Sequence, residues 1–474
     1  MTAKTKAKPD LKAIPMLLNE SMYIGVDIGK FKHVAGFVST TLLQRHQRFE
    51  SCPAFTFEQS REGFQAFLDR VRAFVPLEHC FLLMEQTGHY HRALQQYLVE
   101  QDLPVYVIHV QRREAGMIKT DKRDALGLAN QLYNQLELGV QVTDKLQVVH
   151  RAIPPTEAAA QLKGFMRHRY ELVNEETQRR NKLTAICDEM FPEFTHIFRD
   201  PNRPIALDLR EKFPTPQAIA TASPIALREV RRRNHPSEAQ LIQLQACAAQ
   251  SIGTKNVARQ RGLVLEQSLL IKELRLIQEH MERLDTEICQ IVEHSREGQI
   301  LLSIPPVSPL FAAAILSTLG HIANFPSAGH LKSYFGWAPK RAQTGVSFDR
   351  TNLTRGGSRE MKKTMYLVAW QAIQTETEWA TLYKRLIPRL CSYDERTQSY
   401  QGKGKVLGHI IGRLITLIYA LLKQDDETLS HLAPGTKPPE PVLYDPEIHH
   451  QHRMGHYQPL KKKQSGNRIV LVQQ

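Results

Sequence analysis

The 474-residue chain is poor in cysteine, and no two of its six cysteines are spaced as Cys-x-x-Cys. A structural zinc site and a disulfide framework are therefore not expected, and a reducing cytoplasm fits this usage. No apolar run suggests a transmembrane helix, and the first fifteen residues lack the apolar core of a signal peptide. The sequence thus predicts a cytoplasmic protein with no membrane partner.

The chain is also short of acidic residues. Its 48 Asp and Glu face 62 Lys and Arg, which gives a formal net charge of +14. A surplus of this size favours a polyanionic partner, and nucleic acid is the usual one. The charge alone does not exclude a soluble basic protein that has no such partner.

The alternation of apolar segments predicts several regions along the chain. Strand and helix patterns alternate in the first part, with two strands predicted over 22–38 and a third at "QRFES", which indicates an α/β domain. Two long helical patterns follow, typical of a helical hairpin or coiled coil. The predicted regions are a disordered basic arm over 1–19, an α/β domain over 20–145, a helical hairpin over 146–298 with an irregular insert near 192–250, a mostly α domain over 299–430, and a disordered basic tail over 431–474.

Four acids fall at the ends of predicted strands and the start of a helix. Asp27 lies in "YIGVDIGK", Glu85 ends the strand "CFLLME", and Asp121 and Asp124 open a helix that Thr120 is expected to cap. Strand ends and the adjacent helix starts meet at one rim of an α/β sheet. Mg²⁺ prefers oxygen ligands, and a pair of such ions can hold a phosphodiester. Taken singly, each acid could instead serve a local cap, turn or helix dipole.

Three of these segments carry a family resemblance. "YIGVDIGK", "MEQTGHY" and "KTDKRDA" resemble signatures of the DEDD transposases of insertion sequence family one hundred and ten, the bridge-RNA-guided recombinases. "LLSIPPVSPLFAAAILSTLG", "FGWAPKRAQTG" and "GKGKVLGHIIGRL" resemble that family's C-terminal transposase domain. The resemblance implies a RuvC-like, RNase H-like N-terminal domain whose Asp27, Glu85, Asp121 and Asp124 bind two Mg²⁺ ions.

The resemblance also implies a function and partners. It implies a transposase of a bacterial insertion sequence that cleaves and rejoins DNA through a covalent protein–DNA intermediate. Its partners would be the DNA of the element ends and the target, a guide or bridge RNA, and further copies of the chain in a dimer or tetramer. The family's composite active site lies between protomers, and the protein would work in the cytoplasm on the nucleoid.

The expected nucleophile departs from the family pattern. The family has a serine directly before a glycine, whereas this chain has Thr344 before Gly345. The β-methyl of threonine restricts rotamers and crowds in-line attack. Thr344 is the first candidate and Ser347 the second, while an inactive relic is the third interpretation. "SIPPVSP" is another departure, because relatives commonly have glycine at the place of Pro306.

Basic residues around this segment are candidates for phosphate contacts, although each could simply be a solvated charge. The candidates are Lys340, Arg341, Arg355, Arg359, Lys362 and Lys363. The first long helix adds a second basic set, which either follows a nucleic-acid backbone or forms a solvated face. That set is Arg167, Arg169, Arg179, Arg180 and Lys182.

Three other functions compete with the recombinase. A RuvC-like structure-selective nuclease would need the four acids but neither the nucleophile nor the second half of the chain. "GVDIGK" resembles the first phosphate-binding hairpin of actin-like ATPases, but the second hairpin and the adenosine motif of that superfamily are missing. An inactive nucleic-acid-binding protein would result if Thr344 carries no chemistry.

Overall fold

The protein forms two compact units, residues 1–154 and residues 155–474. The computed structural model describes residues 20–472 except 87, 109–119, 140–149, 152, 231–235, 345–347, 355, 376, 434, 448–460 and 466–467. For strand residues 150–151, 340–344, 348–352, 461–465 and 468–472 it describes the backbone alone. The basic arm predicted over 1–19 lies outside the described residues.

Unit 1 is built on a mixed sheet that, within the described residues, has six strands in the order β3-β2-β1-β4-β5-β6. The strands are β1 (Met22–Asp27), β2 (Lys32–Val38), β3 (Ala54–Glu58), β4 (Cys80–Glu85), β5 (Val105–Ile108) and β6 (His150–Arg151). β1, β2 and β3 form an antiparallel meander, β4 and β5 run parallel to β1, and β6 is antiparallel to β5. The helices of this unit are α1 (Thr40–His46), α2 (Arg61–Arg72), α3 (His91–Val99) and α4 (Asp121–Leu136).

The strands of unit 1 follow from β-branched and aromatic content in β1, β2, β3 and β5 and from a short apolar run in β4. The two strands predicted between residues 22 and 38 are confirmed, with the chain turning over 28–31. The third strand was predicted at "QRFES" but lies later, at β3. The earlier segment forms a short 3₁₀ turn, Phe49–Ser51. β3 has the better strand pattern because its aromatics alternate, and the buried Phe57 stacks on Phe67 at 4.6 Å.

Unit 2 is mostly helical and begins with one of the two long helices. Its long helices are α5 (Glu157–Met190) and α11 (Val257–His294), and between them lie α6 (Phe194–Ile197), α7 (Pro204–Lys212), α8 (Pro216–Thr221), α9 (Pro224–Arg228) and α10 (Glu238–Ala249). After them come α12 (Arg296–Leu302), α13 (Pro309–Leu319), α14 (Ala328–Tyr334), α15 (Arg359–Gln374), α16 (Glu378–Leu390) and α17 (Lys403–Ser430). The strands of this unit are β7 (Pro339–Thr344), β8 (Phe348–Leu353), β9 (Ser392–Asp394), β10 (Ser399–Gln401), β11 (Lys461–Ser465) and β12 (Arg468–Val472).

The predicted helical hairpin and C-terminal domain share one core. Leu162 and Met166 of α5 and Ile288 and Val292 of α11 are buried in the same apolar cluster as Ile315 of α13 and its neighbours. A boundary near 298 would cut through this cluster, which is why the residues from 155 onward behave as one unit. The sequence showed two helical periodicities but not which apolar faces meet.

The insert near 192–250 was expected to be irregular, but its described residues contain the five short helices α6–α10. They enclose a small core of their own around Phe194 and Leu244. Arg210 of α7 is buried and donates hydrogen bonds to Gln267 Oε1 at 2.9 Å and to the Leu183 carbonyl at 2.6 Å. Burial lowers the pKa of this guanidinium. These bonds tie the insert to both long helices.

The C-terminal segment corrects two sequence predictions. By length and composition alone, helix α17 is long and apolar enough to cross a membrane. The prediction that the chain contains no such apolar run was therefore wrong. Its apolar residues, however, line the core of unit 2, and 56 % of its most apolar 18-residue segment is buried. The tail predicted to be disordered from 431 places Tyr444 in that core, and its hydroxyl bonds Glu378 at 2.5 Å. Beyond it, β11 and β12 form an antiparallel pair.

Candidate functional site

Asp27 and Glu85 end two neighbouring parallel strands. Val26 of β1 and Met84 of β4 are register partners, so the residue after each occupies the next position of the ladder. Adjacent strands lie about 4.8 Å apart, and side chains at one ladder position point to the same face. The strand pairing therefore brings Asp27 and Glu85 side by side at one edge of the sheet, and both are half-buried.

Helix α4 covers the face of the sheet to which Asp27 points. A Cβ built on Gly25 would lie 2.1 Å from the Ala125 carbonyl oxygen and 2.3 Å from the Ala129 nitrogen. Gly25 and Asp27 share a face because side chains alternate along a strand. The glycine thus lets α4 lie directly on β1.

The direction of α4 decides which of its ends meets the acids. Tyr23, at the start of β1, meets the ring of Tyr133 at 5.4 Å, and its hydroxyl donates to Glu137. The helix therefore runs antiparallel to β1, and its first turn comes to the end of the strand that carries Asp27.

That first turn carries the other two acids. Thr120 caps it as predicted, its side-chain oxygen accepting from the Arg123 backbone nitrogen at 3.3 Å. Asp124 is half-buried with its Oδ2 fully enclosed, whereas Asp121 is exposed. Both carboxylates are favoured by the helix dipole whatever else they do. The backbone thus gathers two strand ends and one helix start, each carrying acids, at one edge of unit 1.

The side chains do not form a closed ligand set. Among the residues that the structure describes, no three His, Cys, Asp or Glu side chains are close enough together to hold one metal ion. The oxygen donors fit a hard cation such as Mg²⁺ by type. Their arrangement around two ions therefore stays a prediction, and it requires rotation of the side chains toward the cation.

Gly25 offers a direct test of the packing that places the acids. Gly25→Ala should destabilise unit 1 by at least about 3 kcal/mol, because the new methyl group meets helix backbone that cannot rotate away. A thermal melt should show this as a loss of about 10 °C. The control is Gly127→Ala on the outer side of α4, where an added Cβ meets nothing within 4 Å. That change should stabilise the helix by roughly 0.5–1 kcal/mol. If the two variants had the same melting temperature, the close packing of α4 on Gly25 would be contradicted.

His33 orders the turn next to Asp27, a role that no local sequence pattern indicates. Its buried ring accepts a hydrogen bond at Nδ1 from the Gly29 nitrogen at 3.3 Å, while Nε2 bonds Gln59 Oε1. The Nδ1 contact requires the proton to sit on Nε2. A neutral imidazole therefore fixes the turn between β1 and β2.

Burial lowers the pKa of His33, and the hydrogen bond with Gln59 offsets part of that effect. A folded-state pKa below the unfolded value of about 6.5 stabilises the protein above that pH, and the stabilisation is lost as the pH falls through the lowered value. Thermal melts from pH 8 to 5 should show unit 1 losing stability on acidification. His33→Gln should melt lower at neutral pH and lose less on acidification. An identical pH slope in the two proteins would rule out this role.

Thr344 is the last residue of β7, opposite Phe348 of β8. Residues 345–347, which include Gly345 and Ser347, lie outside the described residues. The base of this hairpin is fixed by the Thr354 nitrogen, which donates to the Ala338 carbonyl at 3.0 Å. Gly336 and Gly357 touch there, with an ideal Cβ on Gly357 only 2.5 Å from Gly336. The backbone of Thr344 therefore lies at the last ladder pair of a hairpin whose base is firmly held.

The predicted basic contacts divide into three groups. Arg359 and Lys363 are exposed at the start of α15. Lys362 is half-buried, and its Nζ donates to the Thr354 carbonyl at 2.8 Å, so it supports the hairpin base. Lys340 and Arg341 lie on β7 with the backbone alone described, and Arg355 lies outside the described residues.

Three of the five predicted basic residues of α5 form ion pairs with acids of α11 or of α5 itself. Arg169 binds Asp285 of α11, with 2.5 Å between Nε and Oδ1, and Arg179 binds Glu273 at 3.1 Å. Arg180 binds Glu176 at 3.0 Å. Arg169 and Arg179 thus pair with α11 and Arg180 pairs within α5, while Arg167 and Lys182 are exposed. The two interpretations of this basic set stay predictions.

Pro306 lies in the turn between α12 and α13. Proline has no backbone N–H to donate. Residue 306 therefore offers no backbone donor to a phosphate.

Comparisons with known proteins match both halves of the chain. A DEDD-type family model described as "Transposase" matches residues 24–192, and one described as "Transposase IS116/IS110/IS902 family" matches residues 298–384. Together they cover more than half of the chain. The first contains the four acids and the second contains Thr344.

Two curated relatives also match the chain. The "Insertion element IS110 uncharacterized 43.6 kDa protein" of Streptomyces coelicolor is 27 % identical over 278 residues, which are 57 % of this chain and 64 % of the relative. The "Pilin gene-inverting protein" of Moraxella bovis is 23 % identical over 177 residues, which are 36 % of this chain and 52 % of the relative. The chain thus spans between half and two thirds of the length of these relatives.

Proposed function

The chain belongs to the IS110 family of transposases, and we propose that it cleaves and rejoins DNA strands during movement or inversion of a DNA element. The observation that carries the proposal is the convergence of Asp27, Glu85 and the first turn of α4 at one edge of the sheet. The antiparallel meander with two parallel strands added beside β1 supports an RNase H-like, RuvC-like fold for unit 1. The name of the Moraxella relative supports an inversion reaction in particular.

Asp27, Glu85, Asp121 and Asp124 are the proposed ligands of Mg²⁺. Bound there, the ions would stabilise the charge that develops on a reacting phosphate. The chain's own contribution is to hold the acids in place. The ladder fixes Asp27 beside Glu85, and Gly25 lets α4 bring its acids close.

Thr344 is the proposed nucleophile. Its Oγ forms a bond to phosphorus while the bond from phosphorus to the 3′ oxygen breaks. The hydroxyl loses a proton, and the leaving oxygen gains one and becomes a free 3′-hydroxyl. The basic residues at the start of α15 can neutralise phosphate charge nearby.

The finer parts of the proposal are a guide RNA, a dimer or tetramer, and action on the nucleoid. They derive from the resemblance to the bridge-RNA-guided recombinases, and the net charge of +14 suits RNA as well as DNA. Co-expression with the non-coding DNA beside the gene should yield protein with bound RNA and higher cleavage activity. Equal activity of protein prepared without that DNA would remove the guide RNA from the proposal.

The test of the function is a denaturing gel with end-labelled DNA that carries the element ends. Wild-type protein should give a slowly migrating covalent adduct when Mg²⁺ is present and none with a chelator. Cleavage without an adduct would indicate the RuvC-like nuclease. Binding without cleavage would indicate an inactive relic.

A further inference from the structure

Helix α15 exposes two aromatic rings that the fold does not bury. Tyr366 and Trp370 remain 44 % and 45 % exposed, although the opposite side of the helix packs into the core through Met361, Met365 and Val368. Trp379, by contrast, is 1 % exposed. Large aromatic surfaces left in water are costly, and an exposed group of them marks a binding surface.

The two rings form an ordered platform. Their planes lie within 10° of parallel, with 6.3 Å between centroids. Residues four apart on a helix are neighbours, so one turn of α15 fixes the two rings relative to each other. Parallel exposed rings suit a flat aromatic partner that stacks on them.

Positive charge continues the same stripe of the helix. Arg359, Lys363, Tyr366 and Trp370 follow one another at spacings of four, three and four residues, which places them along one face. Arg359 and Lys363 are exposed. A contact between two protein copies would favour an apolar centre with few charges. A stripe that passes from cations to aromatic rings matches phosphate and base together.

We propose that this face of α15 binds unpaired DNA, with bases stacked on Tyr366 and Trp370 and phosphates held by Arg359 and Lys363. The proposal rests on the proposed function, which creates cut and unpaired strands, and adds a subsite to it. The Lys362 side chain packs on Gly336 and bonds Thr354, so the face is rigidly joined to the base of the Thr344 hairpin. Strands held there would be kept beside the segment that carries the candidate hydroxyl.

Binding of the full chain to a fluorescent oligo(dT) of about 20 nucleotides, longer than one typical site, tests the proposal. Trp370→Ala should weaken binding by about 5- to 100-fold, the loss expected for one stacked base. Trp370→Phe should bind nearly as wild type, because a phenyl ring still stacks. Leu265→Ala is the control, since this leucine of α11 is 63 % exposed and lies on another helix. It should leave binding unchanged.

Salt and duplex measurements separate stacking from charge. Lys363→Ala should reduce the slope of log affinity against log salt by about 0.7, whereas Trp370→Ala should leave the slope as in wild type. The affinity of Trp370→Ala for a duplex of the same length should be close to that of wild type, because the bases of a duplex are already stacked on one another.

Several results would overturn the proposal. Unchanged oligo(dT) binding by Trp370→Ala, or an equal loss on duplex, would remove the stacking role. A larger loss with oligo(rU) than with oligo(dT) would assign the face to RNA. If Trp370→Ala sediments as a smaller species than wild type and still binds DNA as wild type does, the face of α15 is a contact between copies of the chain. None of these assays requires cleavage, so failure of this inference and failure of the proposed function give different results and can be told apart.

Discussion

Asp27→Asn should abolish Mg²⁺-dependent DNA cleavage while leaving unit 1 folded. Asparagine has nearly the shape of aspartate but lacks the negative charge that a divalent cation requires. Charge stabilisation by such an ion contributes several kcal/mol to a phosphoryl transfer, and each 1.36 kcal/mol is a factor of ten. We therefore expect the cleavage rate to fall by at least about 100-fold, measured with labelled DNA under single-turnover conditions.

The matched control for this variant is Asp69→Asn on α2. Asp69 is exposed and pairs with Arg72 at 3.2 Å, a surface contact that contributes at most about 1 kcal/mol. The control makes the same chemical change in the same unit and should cleave as wild type.

A readout that does not depend on activity is the shift of the melting temperature with added Mg²⁺. A ligand that binds the folded state alone raises that temperature. Wild type and Asp69→Asn should show the shift, and Asp27→Asn should lose it. Wild-type cleavage by Asp27→Asn would disprove the metal role of this acid.

Thr344→Ala should prevent the covalent protein–DNA adduct altogether. Alanine keeps the strand backbone of β7 but has no hydroxyl to attack phosphorus. Thr344→Ser restores the residue expected from the family resemblance. It should keep or raise adduct formation, because loss of the β-methyl frees the rotamer and the line of attack. The measurement is the fraction of labelled DNA in the slow band of a denaturing gel.

Two further variants assign the hydroxyl. Thr351→Ala removes a hydroxyl from the same hairpin, opposite Arg341 and away from the tip, and should leave the adduct unchanged. Ser347→Ala should also leave it unchanged. If Thr344→Ala still forms the adduct and Ser347→Ala does not, the nucleophile is Ser347.

Local sequence signals were enough for most elements of unit 1. β-branched and aromatic content predicted β1 and β2, a short apolar run predicted β4, and the spacing of threonine and acids predicted the capped start of α4. The third strand was misplaced because "QRFES" has only one apolar residue, Phe49, and lies just before Pro53, whereas the alternating aromatics come later, in β3. The short helices of the insert were missed because segments of four to twelve residues have weak periodicity.

The basic residues show that local sequence signals do not predict the partner of a charged side chain. A run of arginines in a long helix has the same appearance whether it faces solvent, a nucleic acid or another helix. Arg169 and Arg179 face acids of α11 that lie about a hundred positions along the chain. The sequence contains both partners but not the pairing.

The sequence by itself determined the acids, the candidate hydroxyl, the positive charge and the order of helices and strands, because each depends on residues close together in the chain. Only the tertiary structure decided that Asp27 lies beside Glu85 and that α4 approaches with its first turn toward them. It also decided that the long helices share a core with the C-terminal part and that Trp370 faces outward. These are long-range choices, set by which apolar faces bury one another and by the strand register, and no local pattern encodes them.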